Sequence, residues 1–187
     1  NPNFRLPVTY ARQGTDADND GVATLAAVYV QDQLEITSQF QVVAGLRYDY
    51  FRMNYNDTRP TPTGVGNIKA TDGLISPRVA LMYKPVETVT AYTSYSVSAL
   101  PRAGEQLASL TLANKSLDPE KYQNVEVGLK WDMRPDLAFT MAVYKQDRKN
   151  VAVNDPTVPG SQILIDGQRA TGMEIGLAGH LTRQWSI

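Results

Sequence analysis

Apolar and polar residues alternate along several long segments of the chain. In residues 40–52, Val42, Leu46 and Tyr48 fall on one side of an extended backbone, whereas Arg47 falls on the other. Because successive side chains of a β-strand point to opposite faces of a sheet, this alternation predicts a strand with one apolar and one polar face.

The same alternation recurs along most of the chain. It is clear in residues 73–84, 121–132 and 169–181, and weaker in about residues 22–34, 88–97 and 137–149. Together these segments predict about seven strands. Helical periodicity is not persuasive in any segment.

The connections between these segments alternate in length. Short ones carrying turn residues fall at 34–40, 84–88, 133–137 and 180–185, and long ones rich in Pro, Gly, Asn, Asp and Thr fall at about 53–72, 98–119 and 150–167. This order predicts an all-β chain folded as an antiparallel up-and-down meander, with tight turns at one rim and elaborate loops at the other.

Strand length and aromatic placement favour a membrane sheet. Several segments exceed the ~5–6 residues typical of soluble strands and are long enough to cross a bilayer at a tilt. Aromatic residues near the predicted strand ends suit the girdles of a lipid-facing surface, namely Tyr29, Phe40, Tyr48, Tyr50, Tyr83, Trp131, Phe139 and Trp185. A soluble or surface β-sandwich that binds carbohydrate or protein stays open as an alternative, because aromatic residues also fill sandwich cores.

Charged residues occupy the middle of the predicted polar faces. They are Arg47, Asp49, Arg78, Glu126, Lys130 and Glu174. We expect them first to pair across strands along the wall of a wide barrel, and second to offer a permeation or docking surface.

Composition excludes several classes of function. The 187 residues carry a formal net charge of -1, so a basic face for nucleic acid is not expected. The chain has no Cys and one His, His180, which excludes disulfides, thiolate metal sites and a purely histidine-based zinc site. The Gly-rich residues 63–67 and the carboxylates Asp118 and Glu120 lack the partners that nucleotide binding or catalysis needs, so no enzyme is predicted.

Residues 16–21, DADNDG, begin as a calcium-binding loop begins. The twelfth position of such a loop must supply a bidentate Glu, and here it is Ala27. We therefore expect an acidic turn in front of a strand, whose Asp16, Asp18 and Asp20 attract a divalent ion only adventitiously or lie among the cations that bridge lipopolysaccharide.

Five short motifs follow one another from about residue 22 onward. They are Y-x-Q-D-Q at Tyr29 to Gln33, G-L-R-Y-D at Gly45 to Asp49, S-P-R at Ser76 to Arg78, L-x-P-E at Leu117 to Glu120 followed by E-x-G-x-K at Glu126 to Lys130, and G-x-E at Gly172 to Glu174. In this order the chain resembles the barrel region of TonB-dependent outer-membrane receptors. More narrowly, it is similar to the receptors for ferric catecholate-type siderophores.

The resemblance implies part of a 22-stranded transmembrane β-barrel in the outer membrane of a Gram-negative bacterium, closed by an N-terminal plug domain. It implies a ferric siderophore as the transported ligand, no cofactor held by the protein, and contact with outer-membrane lipid and lipopolysaccharide. Energy would come from the TonB system, acting through an N-terminal region. A receptor of the same fold for haem, cobalamin or a sugar remains the nearest alternative.

This chain departs from the family pattern at its ends. It shows no signal peptide, TonB box, plug-like segment or terminal aromatic strand. We therefore expect residues 1–187 to be an internal piece of the barrel, with the plug and the remaining strands absent.

A ferric catecholate complex is anionic and aromatic, so Arg, Lys and aromatic side chains at the extracellular mouth suit it. The candidates for ligand binding are Arg52, Tyr55 and Arg59 in the first long loop, and Tyr95 and Arg102 at the second.

Overall fold

The regular structure of the chain consists of β-strands. The computed structural model describes residues 13, 16, 18–59, 66–102 and 115–187. The strands are β1 (Asn19–Glu35), β2 (Phe40–Asp57), β3 (Gly66–Val86), β4 (Val89–Leu100), β5 (Glu120–Arg134), β6 (Leu137–Lys149), β7 (Val151–Asn154), β8 (Gln162–Ile165), β9 (Arg169–Thr182) and β10 (Trp185–Ser186). In these ranges, no helix is long and apolar enough to cross a membrane.

One sheet contains eight of the strands, in the order β1-β2-β3-β4-β5-β6-β9-β10, and every neighbouring pair is antiparallel. Strands β7 and β8 form a separate hairpin within the connection between β6 and β9. The predicted all-β antiparallel meander is therefore confirmed. Tight turns lie at residues 36–39, 87–88, 135–136 and 183–184, and we call this side of the sheet the short-turn end and the opposite side the long-loop end.

The register places the predicted apolar residues on one common face, which we call the apolar face. One row across it runs from Val42 to Leu81, Thr93, Val127, Val143 and Met173. Many of its side chains are uncovered; Met173 and Ile175, for instance, are 60% and 62% exposed. A face this apolar and this open in the chain itself needs an apolar environment outside it.

Aromatic rings gather on the apolar face near the short turns. Phe40 and Tyr83 are paired across β2 and β3, and their rings stack with centroids 4.7 Å apart. Trp131 lies opposite Phe139 on β6. Tyr29 was predicted to belong to this set, but it is the register partner of Arg47 and lies on the opposite face.

The opposite face, here called the polar face, carries the charged residues predicted for it. Arg47, Arg78, Glu126 and Glu174 occupy the alternate positions of their strands. The predicted pairing of these charges across strands is not what the structure shows, because the partner of Arg47 is Asp49 on the same strand.

A compact buried cluster lies on the polar face towards the long-loop end. It consists of Phe51, Met53, Tyr55, Ile68 and Ala70, with Met53 fully buried. The predicted loop over residues 53–72 is accordingly wrong, since β2 continues to Asp57 and β3 already begins at Gly66. The long connection predicted at 150–167 likewise contains the β7–β8 hairpin.

Candidate functional site

A cluster of polar residues joins four strands at the long-loop end of the sheet. Arg102, which follows β4, lies 3.7 Å from Glu120 at the start of β5, and the guanidinium of Arg148 at the end of β6 lies 2.7 Å from the same carboxylate. We call Asp72, Arg102, Glu120, Arg148 and Asn150 the Arg102 cluster.

The backbone is tied into the Arg102 cluster as well. The backbone N–H of Arg102 donates to Asp72, and the guanidinium donates to the carbonyl groups of Asp118 and Asn150. Asn150 adopts a left-handed conformation with φ 58°, and its amide donates to the carbonyl of Pro119. A charged group this thoroughly bonded fixes the positions of the loops that leave the sheet.

One polar atom of the Arg102 cluster is left without a hydrogen bond. The Nε of Arg102 is buried and has no hydrogen-bond partner among the described residues.

A second ion pair lies where β2 ends. The guanidinium of Arg59 donates to both carboxylate oxygens of Asp57, at 2.9 and 2.7 Å, and Asp57 is almost fully buried. A bidentate pair of this kind holds the guanidinium in one orientation, with 30% of the side chain still exposed.

Polar groups on the short-turn half of the polar face bond mostly to near neighbours. Arg47 donates to both oxygens of Asp49, at 2.8 and 2.6 Å. The Tyr92 hydroxyl donates to Glu126 at 2.6 Å, and the Lys130 ammonium lies 5.7 Å from the Tyr92 ring centroid. This half of the face is therefore a polar wall of mixed charge.

The five predicted ligand-binding residues occupy three different environments. Tyr55 and Arg102 are buried, Tyr55 in the hydrophobic cluster and Arg102 in its own cluster. Arg59 lies beside Asp57. Arg52 and Tyr95 have the strand parity of the apolar face, opposite Thr24 and Val125 respectively. The structure thus brings Tyr55 and Arg59 to one corner and separates Arg52 and Tyr95 from it.

The acidic stretch at residues 16–21 runs directly into β1. Asp16 accepts a hydrogen bond from the backbone of Gln13, and the carbonyl of Asp18 accepts from Thr58. Asp20 and Gly21 already belong to the strand, so the exiting helix of a calcium loop is not formed here. Within the described ranges, no group of His, Cys, Asp or Glu is arranged to hold a metal ion.

Four residues that contact the candidate arginines at the long-loop end are not predicted from the sequence. They are Asp57, Asp72, Arg148 and Asn150. The available signal was their position next to long loops, together with the quoted L-x-P-E motif that ends at Glu120. Of the Gly-rich residues 63–67, residues 63–65 lie outside the described part of the chain, and Gly66 and Asn67 open β3.

Comparison with known proteins agrees with this geometry. The chain is 29% identical over 177 residues to a probable TonB-dependent siderophore receptor, PiuA, of Acinetobacter baumannii, covering 91% of this chain and 23% of that protein. The crystal structure of PiuA superimposes with a TM-score of 0.79 over 90% of this chain. The closed form of the ferric-catecholate import receptor Fiu of Escherichia coli superimposes with a TM-score of 0.78 at 26% identity, over 91% of this chain and 27% of Fiu.

A third relative has a different kind of ligand in its name. The metal-pseudopaline receptor CntO of Pseudomonas aeruginosa is 29% identical over 174 residues, which is 91% of this chain and 24% of CntO. The chain thus spans about a quarter of the length of the curated relatives it matches.

The family model for the TonB-dependent receptor-like β-barrel matches residues 1–187, the whole of the chain. The antiparallel meander, the open apolar face and the receptors it superimposes on lead to the same assignment. The chain therefore belongs to the TonB-dependent receptor-like β-barrel family, whose members lie in the outer membrane of Gram-negative bacteria.

Proposed function

We propose that this chain is part of the barrel wall of an outer-membrane receptor that takes up a ferric siderophore with energy from the TonB system. The observation that carries the proposal is the similarity to PiuA over 91% of the chain, since PiuA is described as a siderophore receptor. Fiu, described as a catecholate siderophore receptor, supports the same ligand class at 27% identity. The role we infer is that of a receptor and transporter, not of an enzyme.

The two faces of the sheet suit this role. The apolar face would meet outer-membrane lipid, with its aromatic rings at the interface near the short turns, and the long-loop end would meet lipopolysaccharide outside the cell. The polar face would line the inside of the barrel. No contact with nucleic acid is proposed, in keeping with the net charge of -1.

Among the five candidate residues, Arg59 is the best placed to meet a ligand, as a hydrogen-bond donor and not as a source of net charge. It lies at the long-loop end, is partly exposed, and is held in a fixed orientation by Asp57, which neutralises its charge. Tyr55 and Arg102 would hold the strands and loops of the mouth in place and would not contact the ligand themselves, because both are buried. Arg52 and Tyr95 share the parity of the apolar face and would need the loops to rearrange before they met cargo.

Iron would be held by the siderophore and not by the protein, so we propose no resident cofactor. A ferric catecholate complex presents aromatic rings and negative charge to its receptor. Recognition therefore needs only basic and aromatic side chains of matching shape at the extracellular mouth of the barrel.

A metallophore other than a siderophore is the second candidate for the ligand. CntO, at 29% identity, is described as a metal-pseudopaline receptor, and its similarity covers the same share of this chain as that of PiuA. Haem, cobalamin and sugars remain ligands that the same fold could serve.

Uptake of radioactive iron tests the proposal. A strain without its own ferric siderophore receptors would express the complete gene that encodes this chain, and uptake of the labelled metal would be measured with a ferric tris-catecholate and with a metal-pseudopaline complex. We expect energy-dependent uptake of iron, reduced by Arg59→Gln and unchanged by Arg183→Gln, a turn residue at the other end of the sheet. Uptake of the metal from pseudopaline but not of iron from the catecholate would favour the second candidate, and uptake from neither complex would refute the proposal.

A further inference from the structure

Among the residues that the structure describes, Arg78 differs from most other arginines in having no acidic partner. Of the nine arginines in the described ranges, six form ion pairs, namely Arg47, Arg59, Arg102, Arg134, Arg148 and Arg169. Arg52, Arg78 and Arg183 form no ion pair within these ranges. Arg52 has the parity of the apolar face and Arg183 lies in a turn, so Arg78 is the one arginine of the polar face without an acidic partner among the described residues.

The side chain of Arg78 is held against the sheet by its neighbour on β2. Arg78 is the register partner of Gly45, and a Cβ at Gly45 would lie 2.9 Å from Cγ of Arg78 and 3.2 Å from its Cδ. The stem of Arg78 therefore lies over the glycine, where any larger residue would displace it. This packing restricts an otherwise flexible side chain, so less entropy is lost when its guanidinium binds a ligand.

Two adjoining concavities of the polar face share Arg47, Ser76 and Arg78. One, of about 270 Å³, is also lined by Tyr29 and Gln31. The other, of about 320 Å³, is also lined by three serines of β4, which are Ser94, Ser96 and Ser98. Ser96 is the register partner of Arg78 on that strand.

The polar part of this lining fits an oxyanion, and Val30 and Leu46 complete the first concavity. The guanidinium of Arg78 has only donors, and the hydroxyl groups of serine and tyrosine can donate as well. The neighbouring Arg47 is already neutralised by two hydrogen bonds to Asp49, so the net positive charge of the site comes from Arg78. A fork of N–H groups beside hydroxyl donors recognises carboxylate, phosphate or catecholate oxygens better than a neutral group.

We propose that Arg78, with Tyr29 and Ser76, forms a subsite for an oxyanion on the inner wall, and that an anionic metal chelate occupies it on the way through the barrel. The identity of the cargo rests on the proposed function, whereas the affinity for an oxyanion does not. Because the subsite lies on the strands below the long-loop end, it acts on passage and not on capture at the cell surface.

Two measurements test the proposal. In the first, the complete gene product in detergent micelles, labelled with ¹⁵N-arginine, is titrated with citrate, and the side-chain Nε signals are followed. We expect a saturable shift of the Arg78 signal, identified by its loss in Arg78→Gln, whereas the Arg183 signal should move only with ionic strength. Equal shifts of the Arg78 and Arg183 signals would overturn the subsite.

In the second measurement, cells take up iron from an anionic ferric tris-catecholate. Arg78→Gln should lower the uptake rate about tenfold, in line with the loss of a charged hydrogen-bonding group, and leave the Kd for the complex at the cell surface unchanged. Arg78→Lys keeps the charge and the aliphatic stem over Gly45 but loses the planar guanidinium, so its uptake rate should lie between those of Arg78→Gln and the unmodified receptor. The uptake rate of Arg183→Gln should equal that of the unmodified receptor. An uptake rate for Arg78→Gln equal to that of the unmodified receptor would overturn the role in passage.

The two measurements separate this inference from the proposed function. If the unmodified receptor takes up no iron, the siderophore assignment fails, and the citrate titration alone decides whether an oxyanion subsite exists. If Arg78→Gln does not reach the outer membrane, Arg78→Lys still decides, because it also removes the Arg78 Nε signal and it supplies its own uptake rate.

Discussion

At the scale of single residues, small and large side chains are matched across neighbouring strands of the polar face. Gly128 lies beneath the ring of Tyr92, and Gly172 lies beneath the ring of Tyr144. A glycine in a strand interior weakens the strand unless a neighbouring group covers it, and here the tyrosine rings do so. The arrangement also directs the Tyr92 hydroxyl onto Glu126.

Replacing Gly128 tests this matching. A Cβ at Gly128 would lie 2.4 Å from Cζ of Tyr92, so Gly128→Val must displace the ring and break its hydrogen bond to Glu126. We expect a loss of about 1–3 kcal/mol in the free energy of unfolding, as for other overpacked sites, measured by urea unfolding of the refolded protein in lipid vesicles. The double variant Gly128→Val/Tyr92→Ala should recover part of that loss, and a double variant no more stable than Gly128→Val would show that the ring is not the obstacle.

At the scale of elements, the strands at the long-loop end extend beyond what the sequence pattern predicts. Residues 53–57 and 66–72 contain many Asn, Asp and Thr residues, which usually indicate a loop. In the fold, however, Met53 pairs with Ala70 and Tyr55 pairs with Ile68, and their side chains are buried together. This stabilisation depends on a register between two distant segments, so no local pattern could reveal it.

The assignment of faces predicts where a charge can be introduced. Ile175 and Glu174 are adjacent in β9 and project to the apolar and polar faces respectively. Ile175→Arg should cost about 2–4 kcal/mol for a cation within the bilayer, seen as a lower yield of heat-modifiable folded protein in the outer membrane. Glu174→Arg is the matched control and should assemble normally, whereas equal defects in both variants would contradict the assignment.

At the scale of the whole molecule, the strands, the two faces and the family follow from the sequence, because alternation and short ordered motifs are local signals. The set of residues that meet in the Arg102 cluster does not follow from the sequence. Charge and loop position predict Arg102 as a ligand contact, yet it is buried among Asp72, Glu120 and Asn150. Those three partners come from three separate strands or loops, and only the register of the sheet brings them together.

The central claim is that the apolar face of this sheet meets lipid and the polar face meets the water-filled or protein-filled interior of a barrel. The chain has no Cys, so a nitroxide spin label can be attached at single introduced cysteines along residues 172–177 of β9 in the complete gene product, reconstituted in lipid bilayers. The measurement is the ratio of label accessibility to oxygen, which concentrates in lipid, over accessibility to a water-soluble nickel chelate. We expect a ratio that alternates with a period of two and is highest at positions 173, 175 and 177. A ratio without alternation, or one that is highest at positions 172, 174 and 176, would contradict this assignment of the two faces.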